Sequence, residues 1–224
     1  PNPSKSLFAS DGSTMYYDGA TIGDIWGYET IGIAHTQEEM DKHLSSLPNG
    51  GQNSIGSSWA AGDIMYADLN GDGKISQGDK TLADHGDLKL LGNNTPRYNF
   101  GLNLDAAWKG FDLKVFFQGT LKRDYMPTSG ATMFWGQNGY WQMNFFKPHL
   151  DYFRAEADHP LGQNLDGYYP RPLEDAKNRQ AQSRYMQNAA YCRLKNVTLG
   201  YTLPAEWTKK FYVNNMRLFV SGEN

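Results

Sequence analysis

Cysteine is nearly absent from this chain. Cys192 is the single thiol among 224 residues, so no internal disulfide can form. That is compatible with the cytosol, and equally with an outer membrane whose proteins are stabilised by other means. Long apolar runs are also missing. No stretch reaches the 18 or more apolar residues of a transmembrane helix, which excludes one. A transmembrane barrel is not excluded, because its strands alternate in hydrophobicity and barely register as apolar segments. Neither sign of charge is in large excess, with 21 Lys and Arg against 24 Asp and Glu. The net charge is −3, which gives no pointer to nucleic acid or to an anionic membrane surface. Apolar residues make up 39%, below the usual share of a globular domain.

Catalytic signatures are lacking as well. There is no GxSxG, no HExxH and no phosphate-binding loop. His35, His43, His85, His149 and His159 are scattered without the spacing of a metal site. Asp151, Glu156 and Asp158 sit near aromatics, where a glycoside hydrolase would need two carboxylates across a cleft. The simpler reading, a solvated acidic stretch, is preferred, and the chain is read as not an enzyme.

What is abundant is aromatic residues and glycine. With 14 Tyr, 11 Phe, 6 Trp and 24 Gly, the composition suits a β-rich, turn-rich chain. From Tyr98 to Trp108, Tyr98, Phe100, Leu102, Leu104, Ala106 and Trp108 share one parity. Asn99, Gly101, Asn103, Asp105 and Ala107 share the other. This period of two predicts a strand with one apolar and one polar face. Lys109-Gly110 is a two-residue turn. The next strand, 111–119, places Phe111, Leu113, Val115 and Phe117 on one face and Asp112, Lys114, Phe116 and Gln118 on the other. Strands of about 9–11 residues match a tilted crossing of a bilayer. Trp108 and Phe111 flank the turn where an interfacial aromatic belt would lie. A soluble sandwich would show the same alternation, so both remain open on pattern alone.

Further strands are expected at 191–203, with Val197, Leu199, Tyr201 and Leu203 on one parity, and from 215 to 224. Cys192 is read as buried or facing a lumen. Four regions follow. They are an irregular region 1–97 with a short helix near 36–46 capped by Thr36, a hairpin 98–120, a long aromatic loop 121–188, and further strands with a short connector in 189–224. The chain opens on Pro1 and stops inside a strand-like "MRLFVSGEN", so it is expected to be a piece of a longer polypeptide.

"DLNGDGKISQGD" (68–79) carries the chemistry of a calcium loop. Calcium takes six to eight hard oxygen ligands. Asp68, Asn70 and Asp72 offer side-chain oxygens, Lys74 its backbone carbonyl, Ser76 a held water, and Asp79 closes the loop at position twelve. Gly73 permits the sharp turn, and Ile75 anchors the loop in apolar surroundings. The competing reading is an Asx-rich turn that needs no ion. A dockerin-type module would carry the loop twice, each copy followed by a helix, and the stretch 81–96 is a poor helix. In the long loop, Phe134, Trp135, Tyr140, Trp141, Phe145 and Phe146 form an aromatic run. Trp135, Tyr140 and Trp141 are candidates for contact with cargo or a partner, against packing of the loop on itself.

Three segments in order, "GDIMYADLNGDGKI", "YNFGLNLDAAWKGFDLKVFFQG" and "YCRLKNVTLGYTLP…NMRLFVSGEN", resemble the C-terminal part of the SusC/RagA family of TonB-dependent outer-membrane transporters. "IGDIWGYETIGI" and "TQEEMDKHLSS" precede them as similar segments do in that family. The resemblance covers roughly residues 22–120 and 188–224, and the aromatic loop lies outside it. It implies antiparallel transmembrane strands of a plugged barrel of about 22 strands, with long extracellular loops. It also implies a SusD-like surface lipoprotein as lid, energy from the TonB complex through an N-terminal part, and glycan oligosaccharides or peptides as cargo. The rival from another class is a soluble extracellular carbohydrate-binding β-domain stabilised by the calcium-like loop. The two differ in one respect. The first leaves the apolar faces of 98–119 open to lipid, and the second buries them against another sheet.

Overall fold

The computed structural model describes Leu7, Tyr17, residues 19–136 and residues 146–224. In chain order the strands are β1 (Asp24–Tyr28), β2 (Thr30–Ile33), β3 (Ile64–Tyr66), β4 (Leu88–Asn93), β5 (Arg97–Trp108), β6 (Phe111–Lys122), β7 (Asp124–Tyr125), β8 (Gln187–Asn188), β9 (Tyr191–Thr202) and β10 (Arg217–Glu223). The helices are α1 (Gln37–Ser45), α2 (Thr132–Trp135) and α3 (Ala205–Thr208). The chain divides into two units, one of residues 1–94 and 125–187, the other of 95–124 and 188–224.

The second unit is a four-stranded antiparallel sheet in the order β10-β9-β6-β5. β5, β6 and β9 are each twelve residues long, longer than the alternation alone marks out. The turn is Lys109-Gly110, and both residues adopt positive φ, as the tight turn of a hairpin requires. Leu102 pairs with Phe117, Leu104 with Val115, Ala106 with Leu113 and Trp108 with Phe111. On β6's other side, Leu113 pairs with Leu199 and Val115 with Val197. Paired residues point to the same face, so these rows form one continuous apolar surface. On the opposite face Asp105 faces Lys114, and Arg217 reaches Asp112 across β9. Gly200 lies between that pair, where a Cβ would sit 2.4 Å from the Arg217 guanidinium.

The apolar rows are uncovered. Leu102, Leu104, Trp108, Leu199 and Leu218 are all about half exposed or more, and every buried hydrophobic residue among those described belongs to the other unit. Among the described residues no second sheet lies over them, so the sandwich alternative is set aside. The architecture is a strip of antiparallel barrel wall.

One detail overturns a sequence reading. Between β6 and β9 the register shifts. Phe116 pairs with Asn196 and Phe117 with Leu194, which leaves Lys195 as the extra residue of a bulge. Alternation therefore changes phase at Lys195. Leu194 joins the apolar row of Phe117, and Cys192 pairs with Gly119 on that same face. Cys192 is exposed, not buried or lumen-facing.

The first unit holds the hydrophobic core. Trp26, Tyr28, Met40, Trp59, Ile64, Tyr66, Ile75 and Leu88 are buried there, packed by short strands and long loops. β1 pairs with β4 and β2 with β3. Thr36 caps α1 by accepting from the Glu39 N–H at 3.1 Å. The Glu39 carboxylate returns to the N–H of His35, one residue before the cap.

The loops are fastened by Asp63, which is fully buried. Its Oδ1 accepts from Arg171 Nε at 2.7 Å and Asn178 Nδ2 at 2.9 Å. Its Oδ2 accepts from Arg171 Nη2 at 2.7 Å and the Ala60 N–H at 2.9 Å, and lies 3.0 Å from Lys177 Nζ. Burial by itself would raise the carboxyl. The donors of Arg171, Asn178, Lys177 and Ala60 outweigh it and hold the group below its ordinary value. A depressed carboxyl contributes stability that is present above its unfolded value, near 4, and lost as pH falls through the folded one. Asp63→Asn leaves the buried Lys177 without its charge partner and should cost about 3–5 kcal/mol. Chemical denaturation followed by Trp fluorescence between about pH 7 and pH 2 checks both points. The wild type should lose stability on acidification, and the variant should lose less.

Candidate functional site

The loop 68–79 folds on its own short side chains. Asp68 accepts the N–H groups of Gly71 at 2.7 Å and Gly73 at 2.8 Å. Asn70 Oδ1 accepts from the Asp72 N–H at 2.9 Å, and Asp72 Oδ1 from the Lys74 N–H at 3.0 Å. These are Asx turns, the local reason for Asp and Asn at alternate positions. Gly71 and Gly73 both have positive φ, which their neighbours' side-chain bonds require. Ile75 is fully buried in the core and ties the loop down.

Three carboxylates converge here, those of Asp68, Asp72 and Asp87, with one oxygen of each within 4.8 Å of the others. The third member is Asp87 and not Asp79. The chain makes a separate turn after Ser76, with Lys80 N–H donating to Gln77 and Thr81 N–H to Asp84. Asp79 is carried out to solvent, where its N–H meets Asp84 at 3.3 Å. The turn brings Asp87 back. Its Oδ1 accepts from Leu69 N–H at 2.8 Å and its Oδ2 from Ser76 N–H at 2.7 Å, so one side chain clamps both ends of the loop. Asp87 is fully buried. Burial pushes its carboxyl up, the Ser76, Leu69 and Asn70 N–H groups oppose this, and the Asp68 charge adds to the rise. The sequence signal for Asp87 was "DHGD" (84–87), an acidic and glycine-bearing tail just beyond the twelve-residue window.

The other loop candidates have modest surroundings. Ser76 Oγ accepts from the Gly78 N–H at 3.3 Å, and Lys74 Nζ lies 3.9 Å from Asp72. The donor set that converges is one of hard oxygens, the kind a calcium ion takes. Each carboxylate oxygen that receives an N–H keeps a further lone pair.

Trp135, the aromatic candidate in the long loop, is 8% exposed and belongs to the core. Its indole N–H donates to the Thr128 carbonyl at 2.8 Å. Its ring meets Tyr185 edge-on at 4.8 Å and Phe134 at 4.8 Å. Tyr168, Tyr169 and His149 extend this aromatic cluster. In the chain as described, Trp135 packs the loop on itself. Tyr140 and Trp141 lie outside the described residues.

No family model matches the chain. Two curated proteins of Formosa agariphila are similar to it. One is TonB-dependent receptor P3, 30% identical over 208 residues, a match of 92% of this chain and 18% of the relative. The other is TonB-dependent receptor P26, 25% identical over 214 residues, 95% of this chain and 19% of the relative. The chain thus spans less than a fifth of the length of either curated relative. Among solved structures, the RagAB peptide transporter is similar with a TM-score of 0.51 and 18% identity, over 92% of this chain and 19% of that one. The RagAB peptide importer in its closed-closed state is similar with a TM-score of 0.50 and 17% identity, over 100% of this chain and 20% of that one. Those two are likenesses of fold.

The clamp makes a prediction that needs no ion. Asp87→Ala should cost about 1–3 kcal/mol, because two loop N–H groups lose their acceptor in a buried setting. Asp79→Ala should change stability by less than about 0.5 kcal/mol. Hydrogen exchange at the Leu69 and Ser76 amides would separate the two variants, with protection lost only in the first.

Proposed function

We propose, from a chain that belongs to the SusC/RagA family of TonB-dependent transporters, that the protein carrying it imports a large nutrient across the outer membrane. One observation carries this reading, the uncovered apolar face of the sheet β10-β9-β6-β5. Water would penalise that surface at about 25 cal/mol per Å². Lipid tails would not. The polar rows of Asp105, Lys114, Asp112 and Arg217 would line the interior. β5 and β10 each lack a second neighbour among the described residues. Unpaired edges are not viable in lipid, so further strands would close the wall.

The connections support an orientation. One end of the sheet has the two-residue turn Lys109-Gly110 and the short stretch 203–216. The other end leads into the long segments 1–94 and 125–187. Outer-membrane barrels keep short turns at the periplasm and long loops outside, which would make the core-bearing unit extracellular. Opening of a SusD-like lipoprotein lid and energy delivered through TonB complete the mechanism that the family implies. Cargo would be glycan oligosaccharides or peptides, the latter being what RagAB carries by name.

Calcium has a place in this reading. Asp68, Asp72 and Asp87 would hold the ion, with Asn70, Ser76 and the Lys74 carbonyl as further oxygens, and the ion would stiffen an external loop. Near-millimolar external calcium would fill a site of about 10⁻⁴–10⁻³ M. Titration calorimetry of the purified full-length protein should find calcium binding in that range and its loss in Asp68→Ala. No heat in the wild type would leave the loop an Asx turn without an ion.

The import reading is tested on native material. Outer-membrane fractionation in detergent should yield this sequence within a chain several times 25.2 kDa, with a lipoprotein companion. A soluble species of that smaller mass with no companion would overturn it.

A further inference from the structure

The end of the sheet that carries the short connections has a composition of its own. Its last rung runs through Trp108, Phe111, Tyr201 and Leu218 across β5, β6, β9 and β10. The Phe111 and Tyr201 rings lie 4.4 Å apart. Just beyond this rung the Thr202 N–H donates to the Gly110 carbonyl at 2.8 Å, which seats the Lys109-Gly110 turn beside the connector 203–216. The connector is α3 followed by a short turn, Lys209–Phe211. Thr208 is buried and ties it together, its carbonyl accepting the Val213 N–H at 3.2 Å. The rings of the connector face outward. Trp207 is 58% exposed, Phe211 78% and Tyr212 100%. Tyr212 stands there at a φ of 60°, a left-handed backbone that is costly for any residue with a Cβ. A fully exposed ring gains no packing within the fold to offset that cost. Lys209 and Lys210 lie between Trp207 and Phe211 in the chain, and Lys109 Nζ sits 5.0 Å from the centre of the Trp108 ring. All three lysines are exposed, and among the described residues none forms an ion pair. Glu206 is the one carboxylate of the connector. Asp112, nearby on β6, is taken up by Arg217 at 2.9 Å.

We infer that this end of the sheet binds the anionic headgroups of phospholipids, with Lys109, Lys209 and Lys210 on the phosphates and Trp207, Phe211 and Tyr212 among the glycerol and upper acyl carbons. Trp and Tyr favour the headgroup depth of a bilayer, where one part of the ring is apolar and another wet. A lysine ammonium on its long stem reaches a phosphate while the stem stays in apolar surroundings. The rings continue the apolar rows of the sheet, so one bilayer would meet both. An acidic protein would match the lysines and leave the strained, exposed Tyr212 without a purpose. The inference rests on the orientation of the import reading, which sets this end in the periplasmic leaflet of the outer membrane.

The test uses the full-length transporter, stripped of lipid in a neutral detergent and titrated with phosphatidylglycerol or phosphatidylcholine, with bound lipid read by native mass spectrometry. Phosphatidylglycerol should bind at least about five-fold more tightly, the share expected of even one lysine beside an anionic headgroup. Lys209→Gln combined with Lys210→Gln should weaken it by at least about ten-fold. Lys122→Gln, at the far end of β6, should leave it unchanged. Trp207→Ser should weaken both lipids alike, because the ring meets the parts they share. These side chains are exposed, so the variants should fold normally, which circular dichroism checks. Equal affinity for the two lipids, wild-type affinity in the double lysine variant or in Trp207→Ser, or an equal loss in Lys122→Gln would each overturn the inference. Self-association of the lipid-free transporter that Trp207→Ser abolishes would give the surface to a second copy and overturn it too. Cellular uptake is read separately. TonB-dependent uptake with no preference between the lipids would sink the inference and leave the import reading standing. A lipid preference with no uptake would do the reverse.

Discussion

The loops of the core-bearing unit depend on one buried carboxylate. Asp63 takes five donors from Ala60, Arg171, Lys177 and Asn178, and the last three are more than 100 residues away along the chain. The same neighbours continue the bracing. Asn178 Oδ1 accepts the Ile64 N–H, and the Tyr66 hydroxyl donates to the Lys177 carbonyl. β3 is only three residues long and could not hold its place by ladder bonds alone. A buried ion cluster contributes little net energy against a hydrophobic replacement, but it is exacting about geometry. Here that exactness fixes how two long irregular stretches meet. Gln52 does similar service nearby, accepting from the Tyr66 N–H and donating to the Ile64 carbonyl while fully buried.

The chain uses its apolar residues in two opposite ways. In one unit Trp26, Tyr66 and Ile75 turn inward to a buried core. In the other, Leu102, Leu199 and Val220 turn outward. A low overall apolar fraction hides this division, because the irregular unit dilutes the strands. The aromatic excess is likewise divided. Trp108 and Trp207 are exposed at one end of the sheet, while Trp59 and Trp135 are core residues.

What could be read from the sequence was what depends on neighbours in the chain. Strict alternation from Tyr98 onward marked β5 and β6, and Thr36 marked the start of α1, because strand periodicity and capping are local. What depends on distant partners was hidden. Asp87 completes the loop at 68 only because a turn at 77–84 sends the chain back, and no spacing rule contains that turn. Asp63 looks like any turn residue until Arg171 and Lys177 are seen beside it. Trp135 could have been a contact residue or a packing residue, since composition cannot tell an exposed ring from a buried one. The phase change at Lys195 escaped for another reason. A count by twos runs through a bulge without registering it.

That bulge bears on how the strand can vary in length. In a regular strand, losing one residue turns every side chain beyond the gap to the wrong face. In β9 the odd residue is already present at Lys195, with Tyr191–Leu194 in one phase and Asn196–Thr202 in the other. A one-residue deletion there would remove the bulge and leave both halves facing as they do, with Leu194 still opposite Phe117 and Val197 still opposite Val115. An alignment gap at this position between two such proteins would therefore record the presence or absence of a bulge, with inside and outside the same in both.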